Sequence, residues 1–283
     1  MSRRNKKPAA CILCGILPDR QVYQNGSWQY YQCGKCGLVS LHPLPSEDEV
    51  LKAYDNYLPV KSNEIDCWQN MIAPVVDASA NLVLENSKTD GIRLLDIGCG
   101  YGFFLKKMVQ YGWQVEGIEV SRPGRDYARR ELGLCIHAKS LEAMAFPSEQ
   151  FDVVTLFYVI EHVHNPALVL KEVYRILKPN GMLLLRWPHS TPVVKVLGPL
   201  APKIDIYHTP FHLYDFNPTA MTKLVARVGF SAVQHLIGGY TLPKKRLHRL
   251  CSIIFGRLAQ GIYQVSAGSL LLPGVSKTTI AHK

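Results

Sequence analysis

The sequence predicts an α/β chain, an open and mostly parallel sheet wrapped by helices, preceded by a small metal-binding ribbon. Three observations predict it. The apolar run Leu94-Leu95-Asp96-Ile97 stops at a glycine-rich turn, Gly98-Cys99-Gly100-Tyr101-Gly102, and an amphipathic helix, 103–111, follows at once. That is the order of a buried parallel strand and its crossover. A second strand, Gln114 to Val120, carries an acid, Glu119, near its end. Finally, Cys11-x-x-Cys14 and Cys33-x-x-Cys36 stand 18 residues apart, the spacing of two turns closing on one tetrahedral ion.

At 283 residues and 47% hydrophobic, the chain suits one such domain plus an appendage, with a sizeable core. The boundaries read as a zinc-ribbon module over 1–42, a linker with lead-in helices over 43–89, and the main domain over 90–283. The net charge of +10 is uneven. Residues 1–40 hold six Lys/Arg against Asp19 alone, and residues 216–283 hold nine and no Asp or Glu. Residues 41–215 hold 17 basic and 21 acidic residues, a balance of −4. Basic ends suit phosphate-bearing substrates, nucleic acid or an anionic membrane surface; solvated surface charge is the plainer alternative.

Arg3, Arg4, Lys6 and Lys7 open the chain, but the run from Ala9 to Leu17 is too short for a signal peptide. No uncharged stretch reaches the ~18 apolar residues of a membrane span. The expected location is cytoplasmic, with a peripheral place at the inner face of the membrane as the alternative. Cysteine usage agrees: four are spaced for metal, and Cys67, Cys99, Cys135 and Cys251 are scattered like buried thiols.

In the N-terminal module each Cys pair is followed by glycine, Gly15 and Gly37, where a turn bends back under a metal. The aromatic stretch Trp28-Gln29-Tyr30-Tyr31-Gln32 between the pairs suits a β-ribbon. Four thiolates leave no open coordination position, so a structural Zn²⁺ on Cys11, Cys14, Cys33 and Cys36 is expected. A redox role is the alternative. After His42-Pro43-Leu44-Pro45, Ser46 and Glu49 have capping-box spacing, which predicts a helix to about Tyr54. A second helix is expected from Glu64 to Asn86.

A glycine-rich turn alone also fits dinucleotides. Here an acid, Asp96, precedes the turn, and Glu119 lies where a carboxylate would take two ribose hydroxyls. The sequence lacks the later third glycine of the dinucleotide fingerprint. With these residues in hand, the chain resembles the class I S-adenosylmethionine-dependent methyltransferases. The likeness continues over about 90–240. Phe151-Asp152-Val153-Val154 opens a fourth strand that ends near Phe157-Tyr158. Asn165-Pro166 caps the next helix, which ends at Leu177-Lys178-Pro179-Asn180-Gly181 before a fifth strand, Met182 to Trp187.

The resemblance implies a Rossmann-like sheet of seven strands, mostly parallel, with the last strand, near Thr278-Thr279-Ile280-Ala281, antiparallel. It implies S-adenosylmethionine as cofactor. Asp96, Gly98, Cys99, Gly100, Tyr101, Gly102 and Phe157 would surround its methionine end, Glu119 its ribose, and Val120, Ser140 and Leu141 its adenine. Many relatives carry Asp where this chain has Ser140, which leaves that contact weaker.

The loop after the fourth strand, Tyr158-Val159-Ile160-Glu161-His162-Val163-His164, should face the transferred methyl group. Glu161-His162 is the leading catalytic pair, either as a base oriented by a carboxylate or as a tie between loop and sheet. Some relatives bind a divalent ion here through an extra Glu where this chain has Tyr158, so no catalytic metal is expected. Tyr158 and His212 complete the candidate catalytic set, with His189 nearby in sequence. Residues 190–207 read as a substrate-covering insertion, and Asn217-Pro218 starts a helix ending at Gly229.

Lys244-Lys245-Arg246 leads a helix to about Tyr263, within a basic amphipathic segment, 243–264. Leu247, Leu250, Cys251, Ile254, Leu258 and Ile262 form one face; Arg249, Ser252, Gly256 and Gln260 lie opposite or at its edge. The favoured expectation is that the apolar face covers the sheet or site; peripheral contact with an anionic membrane is the alternative.

A four-cysteine ribbon joined to this domain resembles methyltransferases of sugar and polysaccharide biosynthesis, implying a small or carrier-linked acceptor such as a lipid- or nucleotide-linked glycan intermediate. An RNA methyltransferase reading the acid through its ribbon is the second reading. It lacks the Asn/Asp-Pro-Pro-aromatic clamp after the fourth strand. A non-catalytic scaffold that binds S-adenosylmethionine is the third.

Overall fold

The computed structural model describes residues 8–55, 57–87 and 91–283. Arg3, Arg4, Lys6 and Lys7, part of the basic N-terminal end, lie outside the described residues. Two sheets organise the rest. The smaller is antiparallel, with β1 (Arg20–Asn25), β2 (Trp28–Gln32) and β3 (Val39–His42). The larger has seven strands: β4 (Arg93–Ile97), β5 (Gln114–Ile118), β6 (Ile136–His137), β7 (Phe151–Phe157), β8 (Leu177–Trp187), β10 (Ser231–Leu236) and β11 (Lys277–His282). Their order is β10-β11-β8-β7-β4-β5-β6. Strands β4 to β8 run parallel; β11 is antiparallel to both neighbours. This is the expected α/β fold with its antiparallel C-terminal strand. Leu94, Leu95, Val154, Leu156, Leu183 and Leu185 are buried because helices cover both faces.

The helices are α1 (Glu47–Asp55), α2 (Ser62–Asn86), α3 (Phe103–Gln110), α4 (Arg122–Arg130), α5 (Leu141–Met144), α6 (Pro166–Ile176), α7 (Thr191–Leu197), α8 (Pro218–Val228) and α9 (Arg246–Val265). Their starts follow from the sequence. The Ser46 and Glu49 side chains exchange hydrogen bonds with each other's backbone N–H, closing the capping box of α1. Asn165 and Asn217 accept from the N–H three residues on, and proline follows each at the first helical position.

Three local expectations change. β5 ends at Ile118, which leaves Glu119 in the loop after the strand. β8 takes in the segment read as a turn, and Asn180, at φ +62°, bends it there. β6 and β10 had no signal of their own; pairing to longer neighbours makes them strands.

The insertion over 190–207 folds as α7 and a 3-10 turn, Gly198–Lys203. The C-terminal helix corrects its expectation. It packs through the small face, with Gly256 and Ala259 buried. A Cβ on Gly256 would lie 2.6 Å from Tyr240 Cβ, so only this face permits so close an approach. The apolar face is turned outward.

The ribbon does not stand apart. A two-residue strand of the main domain, β9 (Tyr214–Asp215), pairs with β3 and makes the fourth strand of the ribbon's sheet. Tyr23, Tyr30, Cys33, Leu38 and Leu41 belong to the same apolar cluster as Trp187, Leu213 and Phe216.

Candidate active site and cysteine cluster

The two cysteine turns share one geometry. Gly15 N–H donates to Cys11 O at 2.8 Å, and Gly37 N–H to Cys33 O at 2.8 Å. Cys11 and Cys33 N–H return to Ile16 and Leu38 carbonyls. Both glycines take the left-handed φ such a turn requires, +69° and +73°. The four sulfurs lie within 4.8 Å of one another, and Cys11 and Cys36 Sγ are 3.6 Å apart. Zn–S bonds of ~2.3 Å at tetrahedral angles put sulfurs about 3.8 Å apart. All four are free thiols, so the donor set fits one ion.

Asn217 ties this cluster to the domain: its Oδ1 caps α8 while its Nδ2 donates to Cys36 O at 3.0 Å. Tyr30 Oη donates to His212 O at 2.9 Å, and Leu41 N–H to Leu213 O at 2.9 Å. Leu213 and Tyr214 N–H in turn reach Glu161 O. A chain of contacts thus runs from ribbon strand to the loop that bears Glu161 and His162.

At the carboxyl ends of β4 and β5, Gly98 and Cys99 N–H donate to Ile118 O, fixing the glycine turn. Gly98, Gly100 and Gly102 all have φ between +56° and +77°. At Gly98 an added Cβ would collide with Val159, and at Gly102 with Leu134. At Gly100 it would meet nothing nearer than Leu58 Cδ1 at 3.9 Å. Open space therefore lies over bare backbone where a ligand could rest. Glu119 accepts from Gly100 N–H at 2.7 Å and Ser121 N–H at 2.6 Å, one bond to each carboxylate oxygen, leaving each a lone pair. Burial raises its pKa, against those two bonds.

Asp96 accepts from Thr155 Oγ1 at 2.7 Å, and burial pushes its carboxyl up to about 8. Ser140 caps α5 and Leu141 is buried beside it. The Tyr101 side chain is committed elsewhere, its hydroxyl donating to Pro59 O at 2.6 Å within the Leu58–Ile65 cluster. Cys99 Sγ faces Gly117, and Phe157 stands edge-on to Phe104.

The structure brings Glu161, His162 and His212 together, with donor atoms within 4.8 Å of one another. His162 Nδ1 lies 2.8 Å from Phe211 O and 2.6 Å from Tyr54 Oη. A carbonyl only accepts, so Nδ1 carries the proton of the neutral ring and Nε2 keeps a lone pair. Burial, offset by that bond, lowers its pKa to about 4. Glu161 is fully buried, and among the described residues neither carboxylate oxygen has a hydrogen-bond partner; His162 Nε2 is 3.8 Å away. Burial pushes Glu161 up to about 8. His212 Nδ1 is likewise buried without a partner, and burial depresses its pKa.

Tyr158 and His189 do not join this group. Arg186 Nε donates to Tyr158 Oη at 2.8 Å, while its other nitrogens reach Gly238 O, Gly239 O and Thr278 Oγ1. His189 packs near Trp187. Sequence reading missed Arg186 and Tyr54, which hold Tyr158 and His162. A lone arginine in the apolar run Leu183-Leu184-Leu185-Arg186-Trp187 was the signal for the first. Tyr54, on an exposed short helix, gave none.

A family profile described as a methyltransferase domain matches residues 72–235. Among curated proteins, the chain is 30% identical over 143 residues to a ubiquinone biosynthesis O-methyltransferase of Pseudomonas aeruginosa (strain LESB58). The match covers 48% of this chain and 62% of that protein. Another of the same description, from Ruegeria pomeroyi, is 30% identical over 152 residues, covering 50% and 61%. The chain thus spans about three-fifths of these relatives.

Two solved structures share the fold. Phosphoethanolamine N-methyltransferase 2 of Haemonchus contortus superposes with a TM-score of 0.59 at 18% identity, covering 87% of this chain and 62% of that one. A SAM-dependent methyltransferase from Archaeoglobus fulgidus gives 0.52 at 20%, covering 74% and 93%.

Proposed function

The chain belongs to the methyltransferase-domain family, and we propose that it moves a methyl group from S-adenosylmethionine to a hydroxyl of a small or carrier-linked acceptor. One observation carries the reading. Val159 packs against Gly98, so the loop bearing His162 is seated directly on the glycine turn. That seating would direct His162, with its free ring nitrogen, toward the open space over Gly100.

Gly98, Gly100 and Gly102 would cradle the cofactor, Glu119 would accept its ribose hydroxyls, and Asp96 would face its methionine end. Cys99, Tyr101 and Phe157 would flank that end, and Val120, Ser140 and Leu141 would line the adenine. When bound, the sulfonium supplies an electrophilic methyl. His162 Nε2 takes the acceptor's hydroxyl proton as the oxygen attacks. Glu161, once ionised, steadies the imidazolium formed beside it. His212, beside His162, would border the acceptor, and Tyr158, held by Arg186, would lie behind it.

Zinc is the ion we assign to Cys11, Cys14, Cys33 and Cys36; its work is to brace β3, and through it the Leu213–Glu161 contacts. For the acceptor we favour a sugar or glycan intermediate on a lipid or nucleotide carrier. Support comes from the ring-rich wall of Tyr54, Tyr57 and Phe211 around His162, a surface on which a sugar or phenolic ring can stack. The ubiquinone enzymes among the relatives offer a precedent for O-methylation.

The test is incubation of the protein with methyl-labelled S-adenosylmethionine and cell extract, followed by separation into RNA, lipid and small polar fractions. Label in lipid or sugar-nucleotide material supports the reading. Label in RNA overturns the acceptor class, and cofactor binding without transfer to any fraction points to a scaffold.

A further inference from the structure

Helix α9 exposes the face that sequence periodicity assigned to the interior. Leu247, Leu250, Ile254, Leu258 and Val265 are between 50% and 92% exposed. At 100° per residue they fall within an arc of about 80°, one continuous ridge on a helix about 30 Å long. The helix's attachment explains why this ridge stays free. Gly256 and Ala259 are buried on the opposite side, and Ser252 Oγ donates to Thr241 O at 2.6 Å. A ridge of this size on a folded surface marks a contact with another phase or molecule.

Charge says which. Exposed Arg246 and Arg257 lie along one edge of the ridge, and exposed Lys244 and Lys245 stand at its N-terminal end. No Asp or Glu occurs anywhere from 216 to 283. An apolar stripe edged by cations, with no acid of its own segment to repel an anionic surface, has the chemistry of a helix that lies in a bilayer interface. No helix among the described residues is long and apolar enough to cross a membrane, so α9 would lie on the surface.

Its place in the fold adds to this. Leu236 ends β10 opposite Thr278, and Lys277 begins β11 opposite Trp187. α9 is therefore inserted at the carboxyl rim of the sheet, where the glycine turn and the Glu161–His162 loop emerge. The neighbouring insertion exposes Val196, Leu200 and Ile204, and Gly274, just beyond α9, packs on Val193 of α7.

We propose that α9 docks this protein on an anionic lipid bilayer, its apolar ridge among the acyl chains and its flanking cations against acidic headgroups. The docking stands on the helix alone. It also gives the carrier-linked acceptor of the preceding reading a route to the catalytic rim, and that added consequence rests on the reading.

The experiment is flotation of the full chain with phosphatidylcholine vesicles, with and without phosphatidylglycerol, at low and high salt. The expected result is binding to the anionic vesicles that weakens with salt. The paired change Ile254→Glu and Leu258→Glu should cut binding by about 10-fold to 100-fold. Arg246→Gln and Arg257→Gln should each cost about fivefold on anionic vesicles. All these positions are exposed, and calorimetric affinity for S-adenosylmethionine should be unchanged. A failure here is thereby separated from a failure of the methyltransferase reading. Absence of flotation with either vesicle overturns the proposal, as does full binding by the ridge variant. A dimer that sedimentation detects and Ile254→Glu dissolves, without lipid binding, gives the ridge to a second copy and also overturns it.

Discussion

The four ribbon thiols and the Glu161–His162–His212 group are both gatherings of donor atoms within 4.8 Å, yet they are built oppositely. The thiols come from two local turns of identical hydrogen bonding, each complete within a few residues. The candidate catalytic group joins a loop after β7 to a segment 50 residues on, held by contacts that run back to the ribbon. The first holds its geometry by itself once an ion fills it. The second keeps buried polar atoms unpaired and borrows its geometry from the first. Unpaired buried groups cost stability, and they persist where chemistry needs them.

The sharpest way to break this comparison is Cys33→Ser. Loss of one thiolate should release the metal and several kcal/mol of stability. It should also abolish turnover while S-adenosylmethionine binding at the glycine turn persists. Metal content, thermal unfolding and calorimetry together check it; turnover retained without metal would separate the two sites. Next in size, His162→Ala should lower kcat by about 10²-fold to 10⁴-fold with cofactor affinity intact. Retained turnover would reduce His162 to a tie between loop and sheet.

Glu119→Ala should weaken cofactor binding by roughly 10-fold to 100-fold, the worth of one or two charge-assisted hydrogen bonds. Unchanged affinity by calorimetry would remove the ribose assignment. The last test reads stability rather than binding or turnover, in Glu161→Gln. The folded pKa of Glu161, about 8, lies above its ordinary 4.5. Its contribution is therefore full below the ordinary value and is lost as pH rises through the folded one. The variant should melt increasingly above the wild type between about pH 5 and about pH 8. A constant difference across that window would mean that Glu161 ionises freely.

What the sequence made legible was local. The cysteine turns, the glycine turn after β4, the Ser46–Glu49 box and the Asn-Pro caps each declare themselves within a few residues. Glu119 lies beside the turn although its strand ends two residues sooner than expected. The juxtaposition of His212 with His162, the Tyr54 hydroxyl on the same ring and the Arg186 clamp on Tyr158 are tertiary facts without a local pattern. α9 illustrates the limit. Periodicity reports that a helix has an apolar face, but the size of residues on its other face decided which one met the protein.

The pairing of ribbon and domain also has a history within each molecule. Tyr30 and His212 touch across 182 residues of chain. At ~5–20 residues per second of synthesis, about ten to forty seconds separate their emergence. During that interval the nascent ribbon has an open β3 edge awaiting β9, held only by its own strand pairing and the thiol cluster. An ion captured early would keep the edge in shape until its partner strand arrives. Zinc supply would then govern how many newly made chains mature, while molecules already finished would be insulated from it.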